Sequence, residues 1–309
     1  MAWKKIGNIL KPDKNIHWMA THAGPSFAIQ SENDTDTFCI LVSGRDIYNR
    51  SRLGLVIFHL TNLNVCKIFR EPVLELGERG TFDENGTSYP CMIKHNKKWY
   101  MYYTGWIPAV MVPFMVDLGL AVGDDFKKFN RLSKAPLFAK TNEEYLSIGS
   151  VFVMKDQEVW RMWYTCFKRW CKDENGLKHY YNIKYAESKD GINWQRKNKV
   201  CIDFKSDEEY AISRPSVLKI NSSYHMWYSY RGEKYKIGYA VSDDAIHWIR
   251  LDNKLSLDIS PEGWDSEMVC YPFVFKQKNR LYMLYNGNGY GKTGLGLAVL
   301  DEIELLRNI

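Results

Sequence analysis

Residues 184–194 read KYAESKDGINW, and residues 238–248 read GYAVSDDAIHW, with Tyr-Ala, Ser, Asp, Ile and Trp in register 54 positions apart. A chain that writes one phrase twice at such a distance is built from repeated supersecondary units. The repeat reaches well beyond this phrase. Aromatic strand-like segments precede both copies, VWRMWYTCF and SYHMWYSYR, and their relatives are KWYMYYTGW, RLYMLYNGN and the weaker TFCILVSGRD. Ahead of each lies a shorter apolar run, GPSFAI, YPCMIK, GSVFVM, RPSVLK or YPFVFK. These runs begin at Pro25, Pro90, Ser150, Pro215 and Pro272, spaced by 65, 60, 65 and 57 residues. A third strand follows each aromatic one, as RLGLVIF, LGLAVGDD, IKYAESKD, IGYAVSDD or LGLAVLDE.

Five units of short strands at a period near 60 predict an all-β fold, a five-bladed β-propeller forming one domain over residues 1–309. Fourth strands fit CKIFREPVLEL, NRLSKAPLF, QRKNKVCIDF and IRLDNKLSLDI. The fifth unit ends without one, and residues 3–10 at the N-terminus offer the missing strand. The N-terminal strand is therefore expected to complete the last blade and close the ring, which removes an open edge. In this reading the repeated Trp and Tyr serve packing between blades.

Composition agrees with strands: 11 Trp, 20 Tyr and 14 Phe favour sheets and stacking surfaces over a helical bundle. The net charge of +6 is spread along the chain without a basic run, which excludes nucleic acid as the default partner. No apolar stretch reaches the roughly 20 residues of a membrane span, and the N-terminal residues lack the core of a secretory signal. The expectation is a cytoplasmic protein. Seven Cys are odd in number and lie mostly in apolar runs, as reduced thiols do. Cys166 and Cys171 form the only close pair, without metal-ligand spacing, so neither a metal nor a cofactor is expected.

Chemistry in a propeller gathers where the innermost strands begin. The loops leading there read GTFDENGTSYP, TNEEYLSIGS, KSDEEYAISRP and EGWDSEMVCYP, so four units bring paired carboxylates to one mouth. Asp83, Glu84, Asp265 and Glu267, with Asp46 of the GRD segment, are the candidate catalytic acids, and Glu209 is a candidate ligand contact. Acids are also common in solvated loops, and that reading stands beside the catalytic one. Glu84 and Glu267 are expected to flank His22, one as acid and one as base. The loops between second and third strands carry cations and aromatics instead. Arg45, Arg50, Trp106, His179, Arg231 and Asn286, together with Arg214 at a strand start, would hold an anionic sugar or nucleotide sugar. Ion pairing between these Arg and the neighbouring acids is the alternative.

The segments FDENGTSYP, WYMYYTGW, YAESKDGINW, ISRPSVLKI, MWYSYRG, GWDSEMVCYP and MLYNGNGYGKTGLGLAVL together resemble the five-bladed propeller glycoside hydrolases. The chain is similar to relatives of families 43, 32 and 130 that occur with polysaccharide biosynthesis. That resemblance implies a carbohydrate-active enzyme hydrolysing or transferring a glycosidic bond. It also implies a catalytic Asp next to a Pro-containing strand start. Here those places hold Gly24, Tyr89, Gly149, Arg214 and Tyr271, none acidic. The phosphorylase-type Glu-Asp-Pro-Arg falls on Ser88, Tyr89, Pro90 and Cys91, so its residues do not carry over. Two alternatives accompany the hydrolase reading. One is a sialidase-like enzyme with Tyr89 or Tyr271 as nucleophile, and the other is a non-catalytic sugar-binding propeller.

Overall fold

The structure is a computed structural model that describes residues 3–174 and 176–301. Its strands are β1 (Lys4–Leu10), β2 (His22–Gln30), β3 (Thr37–Arg45), β4 (Ser51–His59), β5 (Asn64–Ile68), β6 (Gly86–His95), β7 (Lys98–Pro108), β8 (Phe114–Gly123) and β9 (Asn130–Arg131). There follow β10 (Ile148–Asp156), β11 (Val159–Asp173), β12 (Gly176–Ser188), β13 (Trp194–Ile202), β14 (Tyr210–Ile220), β15 (Ser223–Arg231), β16 (Tyr235–Ser242) and β17 (Ile249–Arg250). The last are β18 (Cys270–Gln277), β19 (Arg280–Asn286) and β20 (Leu295–Asp301). The fold is all-β.

Three sheets have four strands each, in the orders β10-β11-β12-β13, β14-β15-β16-β17 and β1-β20-β19-β18. The remaining strands, β2 to β9, form one larger sheet, joined at its middle by the single parallel pair Ser51 and Gly86. β1 pairs antiparallel with β20, from Lys4 opposite Val299 to Leu10 opposite Leu295. The N-terminal segment thus supplies the outer strand of the C-terminal sheet. The strands β2, β6, β10, β14 and β18 touch in a cycle, each meeting the next and β18 meeting β2.

The repeated phrase is a turn. Ser188 Oγ accepts the N–H groups of Asp190 (3.2 Å) and Gly191 (2.9 Å), and Asp190 Oδ1 accepts those of Ile192 (2.9 Å) and Asn193 (2.8 Å). Ser242 and Asp244 make the same bonds to Asp244, Ala245, Ile246 and His247. These are side-chain mimics of backbone turns. Gly191 at φ 74° occupies the left-handed region, and Ala245 takes the same conformation at φ 71°. The turn also receives its neighbour: Tyr102 Oη donates to Gly191 O at 2.5 Å, and Trp163 Nε1 donates to Ala245 O at 2.8 Å. Both donors sit on second strands of the preceding units, so the phrase both closes one turn and docks the unit before it.

Between sheets the core is aromatic. Trp160, Trp163, Trp227, Tyr102 and Tyr239 are fully buried. Each such ring contributes on the order of 2–3 kcal/mol by leaving water. Near the ends of the second strands, the side chains at one shared register are polar: Ser43, Thr104, Thr165, Ser229 and Asn286. Three of them tie neighbouring units together. Ser43 Oγ accepts Tyr89 N (3.0 Å), Ser229 Oγ accepts Tyr271 N (2.6 Å), and Asn286 Nδ2 donates to Ala23 O (3.0 Å).

Candidate functional site

A cavity of about 390 Å³ opens where the first strands begin. Each first strand slips register there, at Ala23/Ser26, Ser88/Cys91, Gly149/Val151, Ser213/Ser216 and Cys270/Phe273. Such bulges re-aim side chains. Tyr89, Arg214 and Tyr271, each directly before a proline, stand at φ 52°, 51° and 58°. A left-handed non-glycine residue costs on the order of 1–3 kcal/mol and persists only where its surroundings hold it. The hydrogen bonds donated by Tyr89 N to Ser43 Oγ, by Tyr271 N to Ser229 Oγ and by Arg214 N to Ser150 Oγ (3.0 Å) supply the hold.

The walls differ around the cavity. One side presents His22, Arg45, Asn49, Ser51 and Trp106; the other presents Phe114, Phe167, His179 and Tyr181. Tyr89, Tyr271, Tyr235 and Tyr290 line it as well, with the hydroxyls of Ser43, Thr104, Thr165 and Ser213. Tyr181 and Tyr235 share a hydrogen bond of 2.7 Å. Burial pushes the Tyr89 phenol up to about 12, and those of Tyr181, Tyr235 and Tyr271 also rise through burial. His22 falls to about 4 through burial first and then the nearby Arg45 and Lys292 charges. His179 falls to about 4 through burial and the Arg231 charge. At neutral pH the cavity therefore holds protonated phenols, neutral imidazoles and the Arg45 guanidinium.

Of the residues singled out in the sequence, His22, Arg45, Tyr89, Trp106, His179 and Tyr271 line this cavity. The carboxylates do not. Among the described residues, no Asp or Glu side chain lines it. Asp83 is buried away from the mouth, accepting Tyr103 Oη at 2.9 Å and Arg131 Nε at 2.7 Å. Asp265 pairs with Lys5 at 2.7 Å and accepts Tyr285 Oη at 3.1 Å. Glu209 takes Arg250 at 2.6 Å through both oxygens. Glu144 takes Tyr164 Oη (2.7 Å), Lys184 (3.0 Å) and Arg196 (2.8 Å). One carboxylate of each sequence pair thus clasps its leading loop to a fourth-strand cation, Arg131, Arg196, Arg250 or Lys5. These four acids recur because the clasp recurs.

Their partners in the sequence pairs point elsewhere. Glu84 Oε2 accepts Gly80 N at 2.6 Å, and Glu267 is exposed, with its backbone N–H donating to Asn288 Oδ1 at 2.8 Å. Asp46 closes the β3–β4 turn: it accepts Tyr48 N and Arg50 N, both at 2.9 Å, and pairs with Arg50 (2.8 Å) and Arg52 (3.0 Å). Burial raises the pKa of Asp46, but these hydrogen bonds outweigh it and leave the carboxyl below its ordinary value. None of Glu84, Glu267, Asp83, Asp265 and Asp46 lines this cavity.

Arg50, Asn286, Arg231 and Arg214 do not line this cavity. Arg50 is held by Asp46, and Asn286 by Ala23 O. Arg231 lies 5.3 Å from the Tyr210 and Tyr235 rings and donates to Tyr290 Oη at 3.2 Å, behind the cavity wall. Arg214 is wholly buried and reaches β2 and β6, where Nη2 donates to Ser26 O (2.8 Å) and Pro90 O (2.9 Å). Burial lowers its pKa to about 10. Sequence reasoning missed Phe114, Tyr181 and Tyr235. It also missed the hydroxyls near the second-strand ends, although one polar residue at the same register of five apolar strands is a readable signal.

The same architecture is found in sugar-processing proteins. Residues 167–287 match the family model for glycoside hydrolase family 130, described as β-1,4-mannooligosaccharide phosphorylase. "Uncharacterized protein Rv1502" of Mycobacterium tuberculosis (strain ATCC 25618 / H37Rv) is 37% identical over 303 residues, covering 98% of this chain and all of that protein. The chain and that mycobacterial protein belong to one family. It is also similar to a 1,2-β-oligomannan phosphorylase of Thermoanaerobacter sp. (strain X514), at 32% identity over 191 residues, 61% of this chain and 59% of the relative. A solved glycoside hydrolase superposes with a TM-score of 0.77 at 17% identity, over 96% of this chain and 90% of that one.

Proposed function

We propose that the protein is a single-domain, five-bladed propeller closed by β1, whose axial cavity binds a glycosyl phosphate or the glycosyl-phosphate part of a nucleotide sugar. On this reading it transfers or hydrolyses the sugar. The cycle of contacts among β2, β6, β10, β14 and β18, and the β1–β20 pairing, support the ring. The substrate class rests on one observation: the cavity offers aromatics, hydroxyls, neutral imidazoles and Arg45, while no described carboxylate lines it. Cleaving an ordinary glycoside needs an acid to protonate the departing oxygen. A phosphate leaves as an anion and needs no such proton.

In that reaction the bond from the anomeric carbon to the phosphate oxygen breaks, and its electron pair stays on the phosphate. The acceptor oxygen bonds the anomeric carbon, and its proton passes to the neutral imidazole of His22 or His179. Arg45 supports the leaving phosphate through charge-assisted hydrogen bonds. Sugar faces stack on Trp106, Phe114 or the tyrosines. A cavity of about 390 Å³ suits a mono- or disaccharide and leaves a nucleotide outside the mouth.

The raised phenols favour a second reading, sugar binding without turnover. No tyrosine of the cavity is ionised at neutral pH, and no carboxylate accompanies Tyr89 or Tyr271 as the sialidase-like alternative requires. Titration calorimetry with sugar 1-phosphates, nucleotide sugars and neutral methyl glycosides tests the substrate class. Phosphorus NMR then reads release of phosphate or nucleotide. Selective binding with release supports transfer or hydrolysis, binding without release supports the second reading, and equal binding of neutral glycosides overturns the glycosyl-phosphate substrate class.

A further inference from the structure

Residues 107–116 read IPAVMVPFMV, ten consecutive apolar residues, and they form the end of the β7–β8 hairpin. Apolar runs of this kind ordinarily fold inward. This one projects: Val110 is 99% exposed and Met111 is 88% exposed. The neighbouring β3–β4 turn adds Ile47 and Tyr48, at 71% and 72%. Both turns are fastened at the base, where Trp106 Nε1 donates to Ser51 Oγ at 2.7 Å and the Arg45 guanidinium lies 5.8 Å from the Trp106 ring. On the other flank the Phe114 ring meets Trp170 of the long β11–β12 hairpin at 5.3 Å, and that hairpin exposes Lys168, Arg169 and Lys172.

Single exposed apolar side chains need no explanation, but adjacent ones such as Val110 and Met111 projecting together at one tip mark an interaction site. We propose that this face docks on a bilayer carrying anionic lipids, with Val110 and Met111 entering the headgroup region. Three features select a membrane over a protein partner. The apolar residues stand at the tip of a narrow hairpin, a wedge and not the flat or grooved face that a protein surface covers. Cations on the adjoining hairpins complement a negative leaflet, each worth a useful share of adsorption near the surface. Tyr48, apolar in its ring and polar at its tip, suits the interface itself. Apolar insertion combined with basic flanks is the two-signal arrangement by which peripheral proteins bind membranes.

Docking has a consequence for the cavity. Arg45, Pro113 and Phe114 belong both to its lining and to the base of this face, so its mouth opens beside the docking wedge. A sugar phosphate esterified to a lipid would meet the cavity with its phosphate at headgroup height. The lipid-linked substrate rests on the glycosyl-phosphate reading given above; the docking itself does not.

The test is sedimentation of the full chain with vesicles of phosphatidylcholine alone or mixed with phosphatidylglycerol, at low and high salt. The chain is expected to sediment with the anionic vesicles and to be released by salt. Joint substitution Val110→Asp and Met111→Asp should reduce vesicle binding by at least about tenfold, since charge at the inserted tip opposes burial. Its melting temperature and its affinity for a soluble sugar 1-phosphate should not change. Met111→Trp should shift its fluorescence to the blue on anionic vesicles. Failure of the wild-type chain to bind anionic vesicles, or wild-type binding by the double variant, overturns the docking. So does a chain that self-associates through this tip and becomes monomeric on Val110→Asp without vesicle binding in either form. Vesicle binding without affinity for any sugar phosphate would leave docking standing and sink the substrate reading.

Discussion

Arg250 forks onto Glu209, each of its terminal nitrogens 2.6 Å from one carboxylate oxygen, in a pair that is almost wholly buried. Asp252 completes the group, accepting Arg250 Nη2 at 2.9 Å and Tyr228 Oη at 2.5 Å. Removing one member of a buried pair strands the other charge, at a cost of about 3–5 kcal/mol. Glu209→Gln is expected near about 3 kcal/mol because Asp252 still compensates the guanidinium. Asp83→Asn, which leaves Arg131 with less compensation, should cost at least as much. Urea unfolding reads both. Unchanged unfolding midpoints together with lost activity would restore the catalytic assignment of Asp83.

Glu84→Gln and Glu267→Gln should behave in the opposite way. Neither side chain faces the cavity or pairs across a buried interface, so each change should fall within about 0.5 kcal/mol of wild type in stability and in transition-state binding, roughly a twofold rate effect. Melting curves and turnover of a sugar phosphate are the measurements. A hundredfold loss of turnover in either variant would place a carboxylate back in the chemistry.

The strands were legible because their periodicity is carried by large residues. Trp, Tyr and β-branched positions repeat at a near-constant spacing, and the observed strands follow them from β2 to β20. The role of the acids was not legible, because a structural clasp and a catalytic pair look alike when read along the chain. The partner of Asp83 is Arg131, 48 residues away and brought near only by sheet register. Arg214 misled for the same reason. Its place at a strand start suggested the mouth, while its side chain reaches Ser26 and Pro90 of β2 and β6 from a left-handed backbone.

Acid should destabilise the protein before its carboxylates titrate. His22, His179 and His225 are each lowered to about 4, all by burial foremost. Between the ordinary histidine value near 6.5 and about 4, the unfolded chain binds protons that the folded chain refuses, so stability falls as pH drops through this window. Above about pH 6.5 the contribution is complete and flat. Melting temperature against pH, with imidazole titrations by NMR, reads the effect. Imidazole midpoints close to 6.5 in the folded protein would refute it.

Removing residues 1–11 should leave β20 with an open edge. The deletion also takes away Lys5 from Asp265 and the bond from Trp3 Nε1 to Leu255 O at 3.0 Å. A bare, largely apolar strand such as β20 (LGLAVLD) is a template for intermolecular pairing. The truncated chain is therefore expected to aggregate or to melt well below the full chain. Size-exclusion chromatography and thermal unfolding decide; a monodisperse product with unchanged melting would contradict the role given to β1.

Arg45 and Arg214 separate the cavity from its support. Arg45 lines the cavity beside neutral His22, with one nitrogen of its guanidinium donating to Asn49 Oδ1 at 2.8 Å and no carboxylate among its described hydrogen-bond and ion-pair partners. An anionic substituent would therefore meet a cation not already neutralised, and the charge-assisted bonds are worth about 1.5–3 kcal/mol. Arg45→Ala should weaken binding of a sugar phosphate by that amount while sparing the corresponding neutral sugar. Arg214 does not reach the cavity, so Arg214→Met should affect charged and neutral ligands alike, through displacement of the Tyr89 and Ser213 backbone at the cavity floor. Calorimetry on the paired ligands distinguishes the two residues. If Arg45→Ala weakens both ligands equally, the phosphate does not lie on Arg45; if Arg214→Met alone discriminates against the anion, the charge is recognised at Arg214 and not at the wall.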